Sequence, residues 1–155
     1  MGKVLFICRE NIGRSQVASE YCKQLYDHHQ VYSAGVIVDF PGQKLQDNEY
    51  AANVLRIMRE EGLEIGDSVR TPLNEIIDDL PSFDRIIFMA EINLLPKQFM
   101  NVYNIEVWPI PDMKDLNIPE TRHIIHGIRD KVRQMEGSLE SDSDAQTFGL
   151  SRALI

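Results

Sequence analysis

The sequence is poor in the residues that staple a small fold or carry it across a membrane. It has two cysteines in 155 residues, Cys8 and Cys22. Two cannot build a disulfide framework, so a reducing, cytoplasmic setting is the expectation. No apolar run approaches the ~18 residues of a membrane span. The opening segment MGKVLFICRE lacks a cleavage site of the secretory kind. Basic residues are outnumbered, 16 against 24, giving a net charge of -8. With no basic stripe to hold phosphate backbones, no nucleic-acid partner is expected. There are no leucine heptads, no solenoid-length repeats, and neither the dinucleotide-binding glycine pattern nor a Walker-type loop. His123 and His126 lie three apart on a predicted helix, but no further ligands are near in sequence. No metal and no cofactor are therefore expected.

What is present is ordinary globular material, enough for one domain with a real core. Lys3 to Ile7 is a short β-branched and aromatic run that reads as a strand buried on both faces. Helical spacing follows over Ser15 to Tyr26, then a strand over Val31 to Ser33 closed by Ala34-Gly35. A helix is predicted over Asp47 to Glu61, with Gly62 as its stop. A short helix over Leu73 to Leu80 and a strand over Asp84 to Met89 come next. A short helix capped by Asn93 is predicted to run to Met100, and a fourth strand over Ile105 to Trp108. The last helix is predicted over Pro119 to Met135. Short buried strands alternating with helices imply an α/β fold of three layers, a four-stranded parallel sheet with helices on both faces. Residues 1–135 form the expected domain. Residues 136–155 are acidic and polar before a short apolar end, and read as a flexible tail.

In such folds ligands sit beyond the carboxyl ends of the strands. The first of those loops is Cys8-Arg9-Glu10-Asn11-Ile12-Gly13-Arg14-Ser15. A tight loop running into a helix can turn successive N–H groups inward as an anion nest, and the helix terminus adds partial positive charge. Arg14 can grip two oxygens of a phosphate with its planar fork. The same field favours a negatively charged sulfur on Cys8. Spacing by itself leaves a second reading open, in which Cys8 is a small buried hydrophobe at a strand end.

The segment VLFICRENIGRS resembles the N-terminal signature of the low-molecular-weight protein tyrosine phosphatase family, whose flavodoxin-like fold also houses thioredoxin-coupled arsenate reductases. Tyr32-Ser33-Ala34-Gly35, Phe83 to Met89 and Trp108-Pro109-Ile110-Pro111-Asp112 resemble later blocks of that family, in its order. The resemblance implies that Cys8 attacks phosphorus and forms a phosphocysteine. It implies that Arg14 and the N–H groups from Arg9 to Ser15 hold the oxygens, that Ser15 supports the thiolate, and that Asn11 braces the loop. Asp112 is implied as the acid that protonates the leaving oxygen; the competing reading is a plain loop carboxylate, with Asp115 close by. The implied substrate is a phosphorylated protein or a small aryl phosphate, acted on by a monomer or weak dimer.

The chain departs from the family pattern at several positions. Glu10 stands where glycine is usual, Gly13 where many members have cysteine, and Gln16 and Met113 where proline is usual. The tyrosines that flank the substrate after the acid are absent from MKDLNI, leaving Phe40 as a candidate substrate wall or an ordinary loop aromatic. Glu10 and Met113 motivate an alternative, a phosphate- or phosphoprotein-binding relative with little turnover. An arsenate reductase is disfavoured, because its relay needs later cysteines and none follows Cys22.

Overall fold

The computed structural model describes residues 2–26, 30–99 and 105–148, the stretch from 136 onward by its backbone alone. Strand β1 (Lys3–Cys8) is the central strand of the first half, and its burial explains its composition. Alternation sends Val4, Phe6 and Cys8 to one face and Leu5 and Ile7 to the other. Both faces are covered, so the run is apolar throughout rather than every second residue. The sheet is parallel with order β2-β1-β3-β4, where β2 is Gln30–Gly35, β3 is Arg85–Phe88 and β4 is Ile105–Val107. In register, Cys8 stands opposite Gly35, and Ile7 opposite Phe88. The strand ends that carry the candidate loop therefore lie side by side.

One face of the sheet is covered by three α-helices, α1 (Arg14–Leu25), α2 (Ala52–Glu60) and α3 (Ile118–Phe148). Val17, Cys22, Val54, Met58, Ile125, Ile128 and Val132 join Val4, Phe6, Ile87 and Met89 in that core. The other face is covered by 3₁₀ turns, at Leu73–Glu75, Ile77–Ser82, Ile92–Leu94 and Lys97–Phe99, in place of the predicted short helices. Pro72, Pro81 and Pro96 account for this, since each removes an N–H donor and clashes with a continuing α-helix. Asn93 falls within its turn rather than capping it, and Met100 lies outside the described residues.

The predicted helix over Asp47 to Glu61 resolves into 3₁₀ turns at Leu45–Asp47 and Glu49–Ala51 followed by α2. Gly62 does end it, at a positive φ of 80° that favours glycine. α3 begins with a capping box: the N–H of Glu120 donates to Asn117 Oδ1 at 2.8 Å, and the N–H of Asn117 to Glu120 Oε1 at 3.1 Å. It continues past Met135 to Phe148, so position 135 is no break in secondary structure. The segment lacks an apolar stripe and so reads as tail, yet extending a nucleated helix costs little per residue. Residues 149–155, with most of the apolar end, lie outside the described residues. Among the described residues, no helix is long and apolar enough to cross a membrane.

Candidate active site

The loop between β1 and α1 is shaped by where its carbonyls go. Cys8 O accepts from the Val36 N–H at 3.0 Å and Arg9 O from the Ile37 N–H at 2.7 Å. Glu10 O accepts two bonds from the Arg70 guanidinium, Nε and Nη2, each 3.1 Å. Asn11 O accepts from Gln16 Nε2 at 3.2 Å, and Gly13 O from the Val17 N–H at 2.9 Å. Among the described residues, the N–H groups of Arg9 to Gly13 find no backbone acceptor. Carbonyls tied outward and free N–H groups give the loop the geometry to cradle an anion, and α1 adds its N-terminal field at Arg14.

Asn11 takes a left-handed conformation, φ 56°, which asparagine tolerates better than most side chains. Its side chain is fully buried and fully used. Oδ1 accepts from the Thr71 N–H at 2.8 Å, which fixes the amide's orientation. Nδ2 then donates to Ser15 Oγ at 2.7 Å and Ser33 Oγ at 3.0 Å. Ser15 Oγ, already an acceptor, lies 3.0 Å from Cys8 Sγ. Either atom of that pair can donate, and the Ser15 hydroxyl is within reach of the sulfur. Gly35 lies directly beneath. A Cβ there would come within 2.8 Å of both Asn11 N and the Glu10 carbonyl carbon, so only glycine lets β2 approach the loop.

Arg14 is 3% exposed and anchored by one end. Nη1 donates to Met89 O at 2.9 Å, Ile110 O at 3.1 Å and Glu91 Oε2 at 3.2 Å. Nη2 faces Asp112, with Oδ2 3.8 Å away. The Asp112 carboxylate is set by the chain itself, Oδ1 accepting the Lys114 N–H at 3.1 Å. Cys8, Arg9, Glu10, Ile12, Gly13, Arg14 and Asp112 line one cleft of about 370 Å³, counting the open solvent at its mouth. Asn11 and Ser15 stand behind its wall, fully buried.

Phe40 is the exception among the expected site residues. It is 62% exposed and does not line the cleft. Tyr50, Val54, Met113 and Lys114 supply that side instead. Phe40 belongs to the β2 loop, which is drawn down onto Arg70 by Asp39 at 2.8 Å; the Arg70 guanidinium holds the Asp39 carboxyl below the usual carboxylate range. Glu10 stays at the rim, its Oε2 3.7 Å from Lys114 Nζ. Gln16 bonds Asn11 and Val69 O, the latter at 3.1 Å, and so ties α1 to the loop beyond α2. Met113 packs on Gly13, where a Cβ would meet its Cε at 3.0 Å.

Arg70, Glu91, Tyr50 and Lys114 were not expected from sequence. Only Arg70 carries a signal there, an arginine ahead of a Thr-Pro turn, and that signal is faint. Cys22 lies inside the core, where burial pushes its thiol up to about 11. Among the described residues, no cluster of three His, Cys, Asp or Glu side chains is placed to hold a metal ion.

Residues 3–145 match the family described as low molecular weight phosphotyrosine protein phosphatase. No curated protein matches the chain's sequence. Among solved structures, the chain is similar to an arsenate reductase from Archaeoglobus fulgidus, with 24% identity, a TM-score of 0.68, and coverage of 87% of this chain and 99% of that one. It is similar to the arginine phosphatase YwlE, trapped with a phosphorylated active-site serine, at 18% identity and TM-score 0.74, covering 90% and 97%. A low molecular weight protein tyrosine phosphatase from T. tengcongensis gives 18% identity and TM-score 0.65, covering 88% and 99%. At these identities the likeness is one of fold.

Proposed function

This chain belongs to the low molecular weight phosphotyrosine protein phosphatase family, and from that premise we propose that it hydrolyses phosphotyrosine or small aryl phosphate monoesters through a phosphocysteine. The observation that carries this reading is the convergence of Cys8, the free loop N–H groups, Arg14 and Asp112 on one cleft. Cys8 Sγ attacks phosphorus, forming the S–P bond as the bond to the leaving oxygen breaks. The Asp112 carboxyl gives its proton to that oxygen. Arg14 Nη2 and the loop N–H groups hold the three equatorial oxygens as charge redistributes over them. In the second step Asp112 takes a proton from water, the water oxygen attacks phosphorus, and the S–P bond breaks to return the thiolate and phosphate. The half-exposed Tyr50 ring at the mouth offers a flat wall to an aryl group. No metal enters this scheme.

The test is hydrolysis of para-nitrophenyl phosphate with acid-quench mass spectrometry for a phosphoenzyme. Wild type is expected to turn over and to show phosphate on Cys8. Cys8→Ser should be inert, and Asp112→Ala should lose roughly 10²–10⁴ in kcat. Unaltered turnover by Cys8→Ser sinks the reading. The Glu10 carboxylate, lining the cleft, favours a second one: a phosphate-binding relative with little turnover. Phosphate binding by calorimetry without hydrolysis, and hydrolysis gained by Glu10→Gly, would select it.

Arsenate reduction by a cysteine relay has less support. Its only second thiol, Cys22, is sealed at 0% exposure on the packed face of α1.

A further inference from the structure

The loop that carries Asp112 lies between β4 and α3 and has no proline after the acid to stiffen it. It is nevertheless held at three points. Met113 is buried against Gly13, a contact that a side chain at 13 would push apart. Lys114 Nζ sits 4.3 Å from the centre of the Tyr50 ring. The same ammonium lies 3.7 Å from Glu10 Oε2, on the phosphate loop. Lys114 also supplies the backbone N–H that orients the Asp112 carboxylate. One residue thus ties the acid, the phosphate loop and the turn before α2 together.

We propose that Glu10, Lys114 and Tyr50 form a latch that holds the Asp112 loop over the phosphate loop, with Lys114 as the positioning residue for the acid. The inference rests on the role proposed above for Asp112. It explains two oddities at once. A carboxylate in an anion-binding loop is tolerated because an ammonium neutralises it at the rim. A loop lacking proline stays in place because that ammonium crosses the cleft. Glu10 and Lys114 are 23% and 36% exposed, so their attraction is screened but not lost. An ion pair and a cation–π contact of this exposure each shift an equilibrium by a few-fold, and together by about threefold to tenfold.

The test uses two substrates that differ in their need for an acid. Phenyl phosphate has a poor leaving group and depends on Asp112 as the acid of the first step; para-nitrophenyl phosphate depends on it far less in that step, although both need Asp112 as the base of the second. Lys114→Met keeps the stem and removes the charge. It should lower kcat/KM, which reports the first step alone, about threefold to tenfold on phenyl phosphate and clearly less on para-nitrophenyl phosphate. Lys114→Arg should restore most of the loss, since it keeps the charge and the aromatic contact. Glu10→Gln should show the same substrate-selective loss, and the double variant should be no worse than the more impaired single one. Equal losses of kcat/KM on both substrates, or none on either, overturn the latch. A second readout does not depend on turnover: amide hydrogen exchange over residues 110–116 of the ligand-free protein should quicken in Lys114→Met by a similar factor. Unchanged exchange refutes the latch even if the wild type hydrolyses neither ester, a result that would count separately against the proposed reaction.

Discussion

Arg70 offers the sharpest test of how the loop proposed to bind phosphate is held. Its side chain is fully buried, yet it makes no contact with the cleft. Nε and Nη2 converge on the Glu10 carbonyl at 3.1 Å each, while Nη1 reaches Gln43 Oε1 at 3.0 Å and Asp39 Oδ1 at 2.8 Å. Arg70→Met keeps much of the volume and removes every donor. Asp39 is exposed and returns to water, so it adds nothing to the sum. The Glu10 carbonyl has no such escape, and a hydrogen bond from a charged group contributes about 1.5–3 kcal/mol. Allowing for loss of the Gln43 bond, destabilisation of about 2–4 kcal/mol is expected, read from urea unfolding. The second effect falls on the cleft. A released carbonyl is free to turn toward the anion, so calorimetric phosphate affinity should fall at least about tenfold, equivalent to about 1.4 kcal/mol. Arg70→Lys should recover part of the stability, because an ammonium lacks the fork that spans both acceptors. A variant within about 0.5 kcal/mol of wild type and unchanged in phosphate binding would show that the loop sets its own carbonyls and that Arg70 is a bystander.

Three further outcomes follow from particular contacts. Gly35→Ala places a methyl group 2.8 Å from two backbone atoms of the loop, which cannot swing aside as a side-chain end would; phosphate affinity should drop about tenfold or more at a stability cost of about 1–3 kcal/mol, and wild-type affinity in a folded variant would refute the close approach. Iodoacetamide should label one thiol in the native protein, Cys8, because Cys22 is sealed and protonated, its thiol pushed up to about 11; peptide mapping that finds label on Cys22 before unfolding would contradict the packing of α1. On the alkaline side, burial raises Cys22 to about 11, while burial and the Glu61 carboxylate raise Tyr21 to about 12. The unfolded chain sheds these protons first, so it binds fewer protons than the native state and stability declines as pH rises. The loss should begin near pH 9, the ordinary value for the thiol, at roughly 1.4 kcal/mol per unit for each group as it engages. Cys22→Ala should flatten its early part, and a slope left unchanged by that substitution would show that the thiol is not its source.

Much of the fold is legible along the chain because burial writes a local pattern. The run from Lys3 to Ile7 is apolar at every position since both faces of β1 are covered, and the stripe through Val17, Tyr21 and Cys22 faces that strand. The spacing of Cys8 and Arg14 alone leaves a buried hydrophobe as open a reading; it is the strand before them, with Ser15 and a helix start after, that points to an anion nest. The misreadings also have local causes. Apolar spacing over residues 73–80 and 93–100 resembles an α-helix, but nearby prolines confine the described backbone there to 3₁₀ turns. Phe40 is aromatic and near the site in sequence, yet its loop turns its ring to solvent.

By itself, the sequence determined a parallel α/β domain, its order of elements, and a strand–loop–helix turn with sulfur at one end and a guanidinium at the other. The tertiary structure alone decided what supports that loop and what closes over it. Arg70 reaches Glu10 across 60 positions, and the N–H of Thr71 reaches Asn11 across another 60. Tyr50 replaces Phe40 at the cleft mouth, and Lys114 meets Glu10 there. Periodicity and capping record how a residue relates to its own element, which a few neighbours suffice to reveal. Contacts between distant loops depend on strand order and register, and these become visible only once the sheet has brought the loops to one edge.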